Sequence, residues 1–179
     1  LTEASGAMVT NIAADHLGEY GVNTVEHLAD AKFAVAGTLS KDGVLVLNAD
    51  DELVVRNGLK SGSRICWFSL DHNNDQIKSA KSAGNLCCWC EDGLINYFDG
   101  TSVTLVVKIA DIPIAMGGAA RFNVQNAMGA TCLAKAMNIA DQAIIKGLTT
   151  FTSTPDDNPG RCNEFIVKGA RVFVDFAHN

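Results

Sequence analysis

The chain contains little proline, few aromatic residues and no long hydrophobic run. Only 3 of its 179 residues are Pro and 7% are Phe, Trp or Tyr, whereas 47% are hydrophobic. This mixture is too apolar for a disordered chain and too varied for a fibre. Its apolar runs are well short of the roughly 20 residues that a membrane-spanning helix needs, and no secretory signal is recognisable. The sequence therefore predicts a globular protein without a membrane partner.

Positive charge is also scarce. The chain has 14 Lys and Arg against 20 Asp and Glu, a net charge of −6, and its basic residues are scattered. A groove for DNA or RNA needs a stripe of basic side chains, so we expect no nucleic-acid partner. A chain of this length can bury one core, which predicts one domain, or one domain with part of a second.

The cysteine spacing argues against a disulfide framework. The six cysteines are Cys66, Cys132 and Cys162, which stand alone, and Cys87, Cys88 and Cys90, which share one strand-like run. Neighbouring residues of a strand point to opposite faces, so the second three do not pair well with one another. Cys87 and Cys90 form a C-x-x-C, but the second pair of a zinc ribbon is missing. We therefore expect buried, free thiols and a cytoplasmic location.

Strand-like and helix-like segments alternate in the first 70 residues. Strands are predicted at Ala7–Ile12, Gly43–Leu47 and Arg64–Ser69, with a helix at Thr24–Leu39 and a short helix from Asp51. This order is typical of an α/β fold with a parallel sheet, here a partial Rossmann-like or P-loop-type sheet.

The remainder of the chain adds a small antiparallel β patch and two helices. The predicted segments are strands at Asn85–Cys90, Leu94–Phe98 and Thr101–Ile109, helices at Phe122–Met137 and Asp141–Phe151, and a hairpin of Glu164–Val167 with Arg171–Phe176. Ser153–Gly160 has the composition of a linker.

Lys32 interrupts the apolar face of its predicted helix. That face contains Val25, Leu28, Val35 and Leu39, and Lys32 follows Leu28 by four residues. A lysine there must extend to water, pair with a carboxylate or lose its charge. Two interpretations stay open: a side chain at the helix edge, or a desolvated lysine that faces a site.

Acid–histidine pairs follow two predicted strands. Asp15 and His16 come after the first strand, and the last strand terminates in Asp175 and His178. Ligands bind at the carboxyl ends of strands in open α/β sheets, and Asp and His can serve a metal near phosphates. A loop histidine that is simply solvated is the alternative.

Asn123 and Asn126 stand three residues apart at the start of an alanine-rich helix. Their amides either cap the helix or hydrogen-bond to the edge of a nucleotide base. Together with Lys32 and the acid–histidine pairs, they indicate a nucleotide and metal site.

Six motifs follow one another along the chain. They are V-T-N-I-A-A-D-H-L-G at residues 9–18, A-K-F at 31–33, L-N-A-D-D at 47–51, F-N-V-Q-N-A at 122–127, P-G-R-C-N-E-F at 159–165 and V-D-F-A-H-N at 174–179. This ordered set resembles the ATP-dependent Mur ligase superfamily, and within it the ligase domain of cyanophycin synthetase-like proteins. The resemblance extends over nearly the whole chain.

The resemblance implies an ATP- and Mg²⁺-dependent ligase whose substrates are an amino acid and a carboxylate acceptor. ATP phosphorylates the carboxylate, an amine attacks the acyl phosphate, and an amide forms. It further implies that His16 binds magnesium together with Lys32, which is carbamylated in the family. The residues implied to act at the nucleotide are Asn123 and Asn126 near adenine, Arg161 at the phosphates, and Asp175 from the next domain.

The chain also departs from the family pattern. Phe122 stands where many members have His, and Phe176 where Tyr is usual. No G-x-x-x-x-G-K-[ST] phosphate loop is present, and the family's acidic metal ligand is not recognisable before Ala7. We therefore expect the polypeptide by itself to release no phosphate from ATP, which a magnesium-dependent phosphate assay measures.

From these departures we predict that the chain contains parts of two domains. We interpret residues 1–160 as the later part of the family's central ATP-binding domain, and residues 161–179 as a linker and the first hairpin of the C-terminal domain. The alternative from another class is a non-catalytic α/β module that binds a nucleotide or a partner.

Overall fold

Six strands form a mostly parallel sheet at the centre of the molecule. The computed structural model describes residues 3–14, 17–18 and 21–176. The strands are Ala4–Val9 (β1), Leu39–Asn48 (β2), Arg64–Ser69 (β3), Cys87–Glu91 (β4), Leu94–Phe98 (β5) and Val103–Lys108 (β6). They lie side by side in chain order, with β1 to β4 parallel and β4, β5 and β6 antiparallel. The predicted α/β class and its antiparallel patch are confirmed.

Helices cover both faces of this sheet. They are Val25–Phe33 (α1), Glu52–Gly58 (α2), Asp75–Ser82 (α3), Arg121–Ala136 (α4) and Asp141–Thr150 (α5). Leu45 and Leu47 of β2 pack in the core that contains residues of α1, α2 and α3, whereas Val44 and Val46 pack in the core that contains residues of α4 and α5. Because both faces are buried, β2 contains a continuous apolar run. No helix in the described part of the chain has the length and hydropathy to cross a membrane.

The predicted helix Thr24–Leu39 is too long. α1 ends at Phe33, a 3-10 segment occupies Ala34–Thr38, and β2 already begins at Leu39. The 3-10 segment contains Gly, Val and Thr, which are poorer helix formers than Ala or Leu. Val35, which the prediction placed on the apolar face, is 36% exposed.

The strand β1 and the helix α3 also differ from the predictions. β1 begins and ends three residues earlier than the predicted strand Ala7–Ile12. α3 was not predicted, although parallel strands such as β3 and β4 need a crossover between them. Asn74 caps α3, because its side chain accepts a hydrogen bond from the backbone nitrogen of Gln76 at 2.9 Å.

The last two strands form a separate sheet. Asn163–Val167 (β7) and Ala170–Val174 (β8) pair antiparallel, close to the predicted bounds. The chain reverses at Lys168 and Gly169, both of which have positive φ. Within the described residues this hairpin forms no ladder with the six-stranded sheet.

All six cysteines are free thiols. Four of them, Cys66, Cys87, Cys88 and Cys132, are buried in the two cores, whereas Cys90 and Cys162 are half-buried. Burial raises the pKa of Cys87 to about 12. The expectation of free thiols is confirmed, and that of burial holds for four of the six.

Candidate nucleotide site

The loops that follow β1 and β2 meet at one edge of the sheet, which we name the carboxyl edge. Asp51 joins these loops. Its Oδ1 accepts a hydrogen bond from the backbone nitrogen of Val54, and its Oδ2 from that of Ile12, both at 2.9 Å. One carboxylate therefore starts α2 and fixes the loop after β1. The sequence indicated the helix start, but the bond to Ile12 spans 39 residues and has no local signal.

Lys32 reaches the same loop from α1. Its Nζ donates a hydrogen bond to the backbone carbonyl of Asn11 at 3.1 Å, and the residue is half-buried. This geometry directs the lysine toward the carboxyl edge. It does not provide the deep burial that a fully desolvated amine requires.

The predicted metal partner of Lys32 cannot be placed beside it. His16 lies outside the described residues, as do Asp15 and His178. Among the residues that are described, no three His, Cys, Asp or Glu side chains are arranged to hold a metal ion.

Asp50 connects the carboxyl edge to α4. Its carboxylate accepts hydrogen bonds from Ser69 Oγ at 2.5 Å, from the backbone nitrogen of Leu70 at 2.9 Å and from Gln125 Nε2 at 3.0 Å. Gln125 was not singled out from the sequence. Its partner is 75 residues away, so only the folded chain brings the two together.

A cavity of about 510 Å³ lies between α4 and α5. Its walls are mostly apolar and include Ile114, Ala127, Ala130, Leu148 and Phe151. A concave, largely apolar cavity with a few polar groups is the usual form of a small-molecule site.

Asn123, Asn126 and Asn158 supply amide groups to the lining of this cavity. Asn123 Nδ2 donates to the carbonyl of Ile114 at 2.8 Å, and Asn126 Nδ2 is 3.4 Å from Asn123 Oδ1. No side chain caps the start of α4. The interpretation of the two asparagines as helix caps is therefore wrong.

Asn163 holds the loop that contains Asn158. It is 3% exposed, and its Nδ2 donates to the carbonyls of Ser153 and Asn158, both at 2.8 Å. Its Oδ1 accepts from the backbone nitrogen of Gly160 at 2.6 Å. The segment predicted as a linker is thus a loop with defined hydrogen bonds, and no local residue pattern indicates this role of Asn163.

Arg161 and Asp175 join the two ends of the β7–β8 hairpin, because Arg161 contacts Phe176 and Asp175 contacts Cys162. The Arg161 guanidinium carbon is 5.6 Å from the centre of the Phe176 ring. Asp175 Oδ2 accepts from the backbone nitrogen of Cys162 at 2.9 Å, and burial together with this carboxylate raises the pKa of the Cys162 thiol. The backbone nitrogen of Arg161 donates to Asn158 at 3.3 Å, which connects this pair to the cavity loop.

The predicted site residues thus fall into three groups. Lys32 belongs to the carboxyl edge, Asn123 and Asn126 belong to the cavity, and Arg161 and Asp175 lie at the start and the end of the β7–β8 hairpin. The family model for the Mur ligase middle domain matches residues 1–134. The chain belongs to the Mur ligase family. Lys32, Asn123 and Asn126 lie inside the matched range.

Curated relatives of this Mur ligase chain include cyanophycin synthetases. That of Trichormus variabilis is 33% identical over 176 residues, which are 98% of this chain and 20% of the relative. That of Synechocystis is 35% identical over 173 residues, or 96% of this chain and 20% of the relative. The chain therefore spans about a fifth of the length of these relatives.

Other Mur ligases agree in sequence and in fold. The UDP-N-acetylmuramate–L-alanine ligase of Clostridium tetani is 30% identical over 96% of this chain and 34% of its own length. The crystal structure of MurF from Acinetobacter baumannii matches with a TM-score of 0.61 and 21% identity, over 97% of this chain and 34% of MurF. The Mur ligase resemblance and the fold that it implied are confirmed.

Proposed function

We propose that this chain supplies the adenine pocket and part of the metal site of an ATP-dependent ligase that joins a carboxylate to an amine. The observation that carries the proposal is the cavity between α4 and α5, with Asn123 and Asn126 in its lining, in a chain of the Mur ligase family. The curated relatives are named as synthetases and ligases. Because the chain spans about a fifth of the cyanophycin synthetases, the complete reaction belongs to a larger protein.

The cavity suits an adenine ring. Its apolar walls provide surface for a flat aromatic base, and Asn126 is exposed at the lining. A carboxamide has both a donor and an acceptor, which matches the amino group and ring nitrogens at the edge of adenine. Asn123 is tied to Ile114, so we propose that it orients Asn126 and contacts the base with its remaining capacity.

Arg161 and Asp175 are proposed to act at the rest of the nucleotide. Arg161 is exposed, and a guanidinium has five donors that fit phosphate oxygens. Asp175 follows β8 in the separate two-stranded sheet, which supports the proposal that residues 161–179 begin another domain. The Arg161 backbone nitrogen bonds to Asn158 of the cavity lining, and Asp175 bonds to Cys162 beside Arg161.

The described residues do not provide a complete set of ligands for a magnesium ion. Mg²⁺ prefers oxygen ligands, and a lysine amine is not one of them. We propose that the neutral Lys32 amine attacks the carbon of carbon dioxide, forms an N–C bond and releases a proton. The resulting carbamate and His16 would hold the ion, which when bound neutralises charge on the transferred phosphoryl group.

We expect a bulky side chain in the cavity to weaken the binding of adenosine. In Ala130→Phe a ring projects from α4 into the space proposed for the base, and adenosine affinity should fall at least about tenfold, equivalent to about 1.4 kcal/mol. Isothermal titration of the chain with adenosine measures this. Ala83→Phe, at the exposed end of α3 and outside this cavity, is the matched control.

Two outcomes count against this placement. Equal affinity in wild type and Ala130→Phe shows that adenosine binds elsewhere. No adenosine binding by the wild-type chain removes the support that the cavity gives to a nucleotide site, and favours the non-catalytic partner-binding module.

A further inference from the structure

The Asp50 carboxylate is bonded to two different elements of the fold. Ser69 Oγ and the backbone nitrogen of Leu70 donate to it from the end of β3, and Gln125 Nε2 donates to it from α4. Ser69 is completely buried and also accepts from the backbone nitrogen of Asp71 at 2.9 Å. The β3 end of this arrangement is therefore held by several hydrogen bonds. Gln125 bonds α4 to it, in addition to the apolar packing of α4 against the sheet.

The first turns of α4 present two faces. Arg121 and Gln125 are four residues apart, whereas Asn123 and Asn126 are three apart and line the cavity. The same short segment therefore contacts the carboxyl edge on one side and the cavity on the other. No side chain caps the start of this helix, and Ala120 before it has a non-helical ψ of 73°.

We propose that Asp50 and Gln125 are positioning residues that hold the cavity asparagines at a fixed place relative to the carboxyl edge. The proposal rests on the proposed function, in which the base occupies the cavity and the phosphates and metal lie toward that edge. A phosphoryl transfer needs both ends of the nucleotide to be held in one geometry, because small displacements of bound reactants reduce rates strongly. The Asp50–Gln125 bond provides this link without contact to the nucleotide.

A charge exchange tests the link. Gln125→Glu places a second carboxylate next to Asp50 and replaces a hydrogen bond by repulsion. The double variant Asp50→Asn/Gln125→Glu exchanges donor and acceptor across the pair at the wild-type net charge. Because the Leu70 backbone nitrogen donates to the same Asp50 oxygen, this variant gives up the Leu70 bond and its rescue is partial. Gln125→Met removes the bond without adding charge, in case Gln125→Glu does not fold. Gln142→Glu adds the same charge at an exposed position of α5 and is the matched control.

Two measurements are made on the chain. The first is the NMR shift of the Asn123 and Asn126 side-chain amides without nucleotide, and the second is the adenosine dissociation constant. We expect Gln125→Glu and Gln125→Met to move both amide signals, and Gln125→Glu to weaken adenosine on the order of tenfold because the asparagines are displaced. The double variant should return both values part of the way to wild type, and Gln142→Glu should change neither.

The outcomes separate this inference from the proposed function. Unmoved amide signals in Gln125→Glu and Gln125→Met overturn the positioning role, as does a double variant that is no better than the single one. Absence of adenosine binding in the wild-type chain counts against the proposed function, while the amide signals still decide whether Asp50 and Gln125 place the asparagines.

Discussion

Lys32→Ala is expected to lower the activity of the ATP-dependent ligase proposed above at least about a hundredfold, the usual cost of removing one electrostatic group that stabilises a transition state. Lys32 Nζ contacts the loop after β1 through Asn11, at the edge where the phosphates are proposed to lie. The alanine variant loses both the amine and any carbamate made from it. The rate of ADP release under conditions in which the wild-type enzyme turns over measures the loss.

Lys32→Arg distinguishes a carbamate from a simple cation. Arginine keeps the positive charge but does not form the carbamate, so a carbamate role predicts that Lys32→Arg is as inactive as Lys32→Ala. Added bicarbonate should rescue neither variant. Lys78→Ala, an exposed lysine of α3, is the control and should retain wild-type activity. Wild-type rates in Lys32→Ala would return Lys32 to the interpretation of a side chain at the helix edge.

The folded chain is expected to lose stability steeply as the pH rises above 9. Burial raises the pKa of Cys87 to about 12, and the pKa values of Cys66, Cys88 and Cys132 are also raised above their ordinary value. An unfolded thiol has a pKa of about 8.5. Above that pH the unfolded state therefore binds fewer protons than the folded state, and the free energy of unfolding falls with pH.

The size of this effect follows from the number of thiols. Each thiol contributes up to about 1.4 kcal/mol per pH unit, so four together reach on the order of 5 kcal/mol per unit. Urea unfolding at pH 8, 9 and 10 measures the slope. Cys162→Ser, which changes a half-buried thiol outside the two cores, should leave most of the slope intact. Equal free energies of unfolding at pH 8 and pH 10 would contradict the prediction.

Strands were predicted well where burial leaves a strong local pattern. β3 has the predicted bounds, and β5 was predicted completely. The boundary between α1 and β2 was wrong because Ala, Val and Leu are compatible with either structure. Pairing of β2 with β1 decides that Leu39 belongs to a strand.

The residues of the candidate site could be predicted only in part. Lys32, Asn123 and Asn126 were proposed from their local setting and the order of motifs. Gln125 and Asn163 were missed, because their partners are distant in sequence or are backbone carbonyls. Side-chain hydrogen bonds to the backbone of an irregular loop, unlike those of a helix cap, leave no residue pattern that a single sequence can show.

The scarcity of proline, aromatic residues and positive charge, together with alternating β and α segments, was enough to indicate a globular α/β chain. The ordered motifs were enough to indicate the Mur ligase family. Only the tertiary structure decided that Lys32 contacts the loop after β1, that the two asparagines line a cavity instead of capping a helix, and that Asp50 joins α4 to the sheet. These facts depend on contacts between residues up to 75 positions apart, which form when the sheet and its helices pack together.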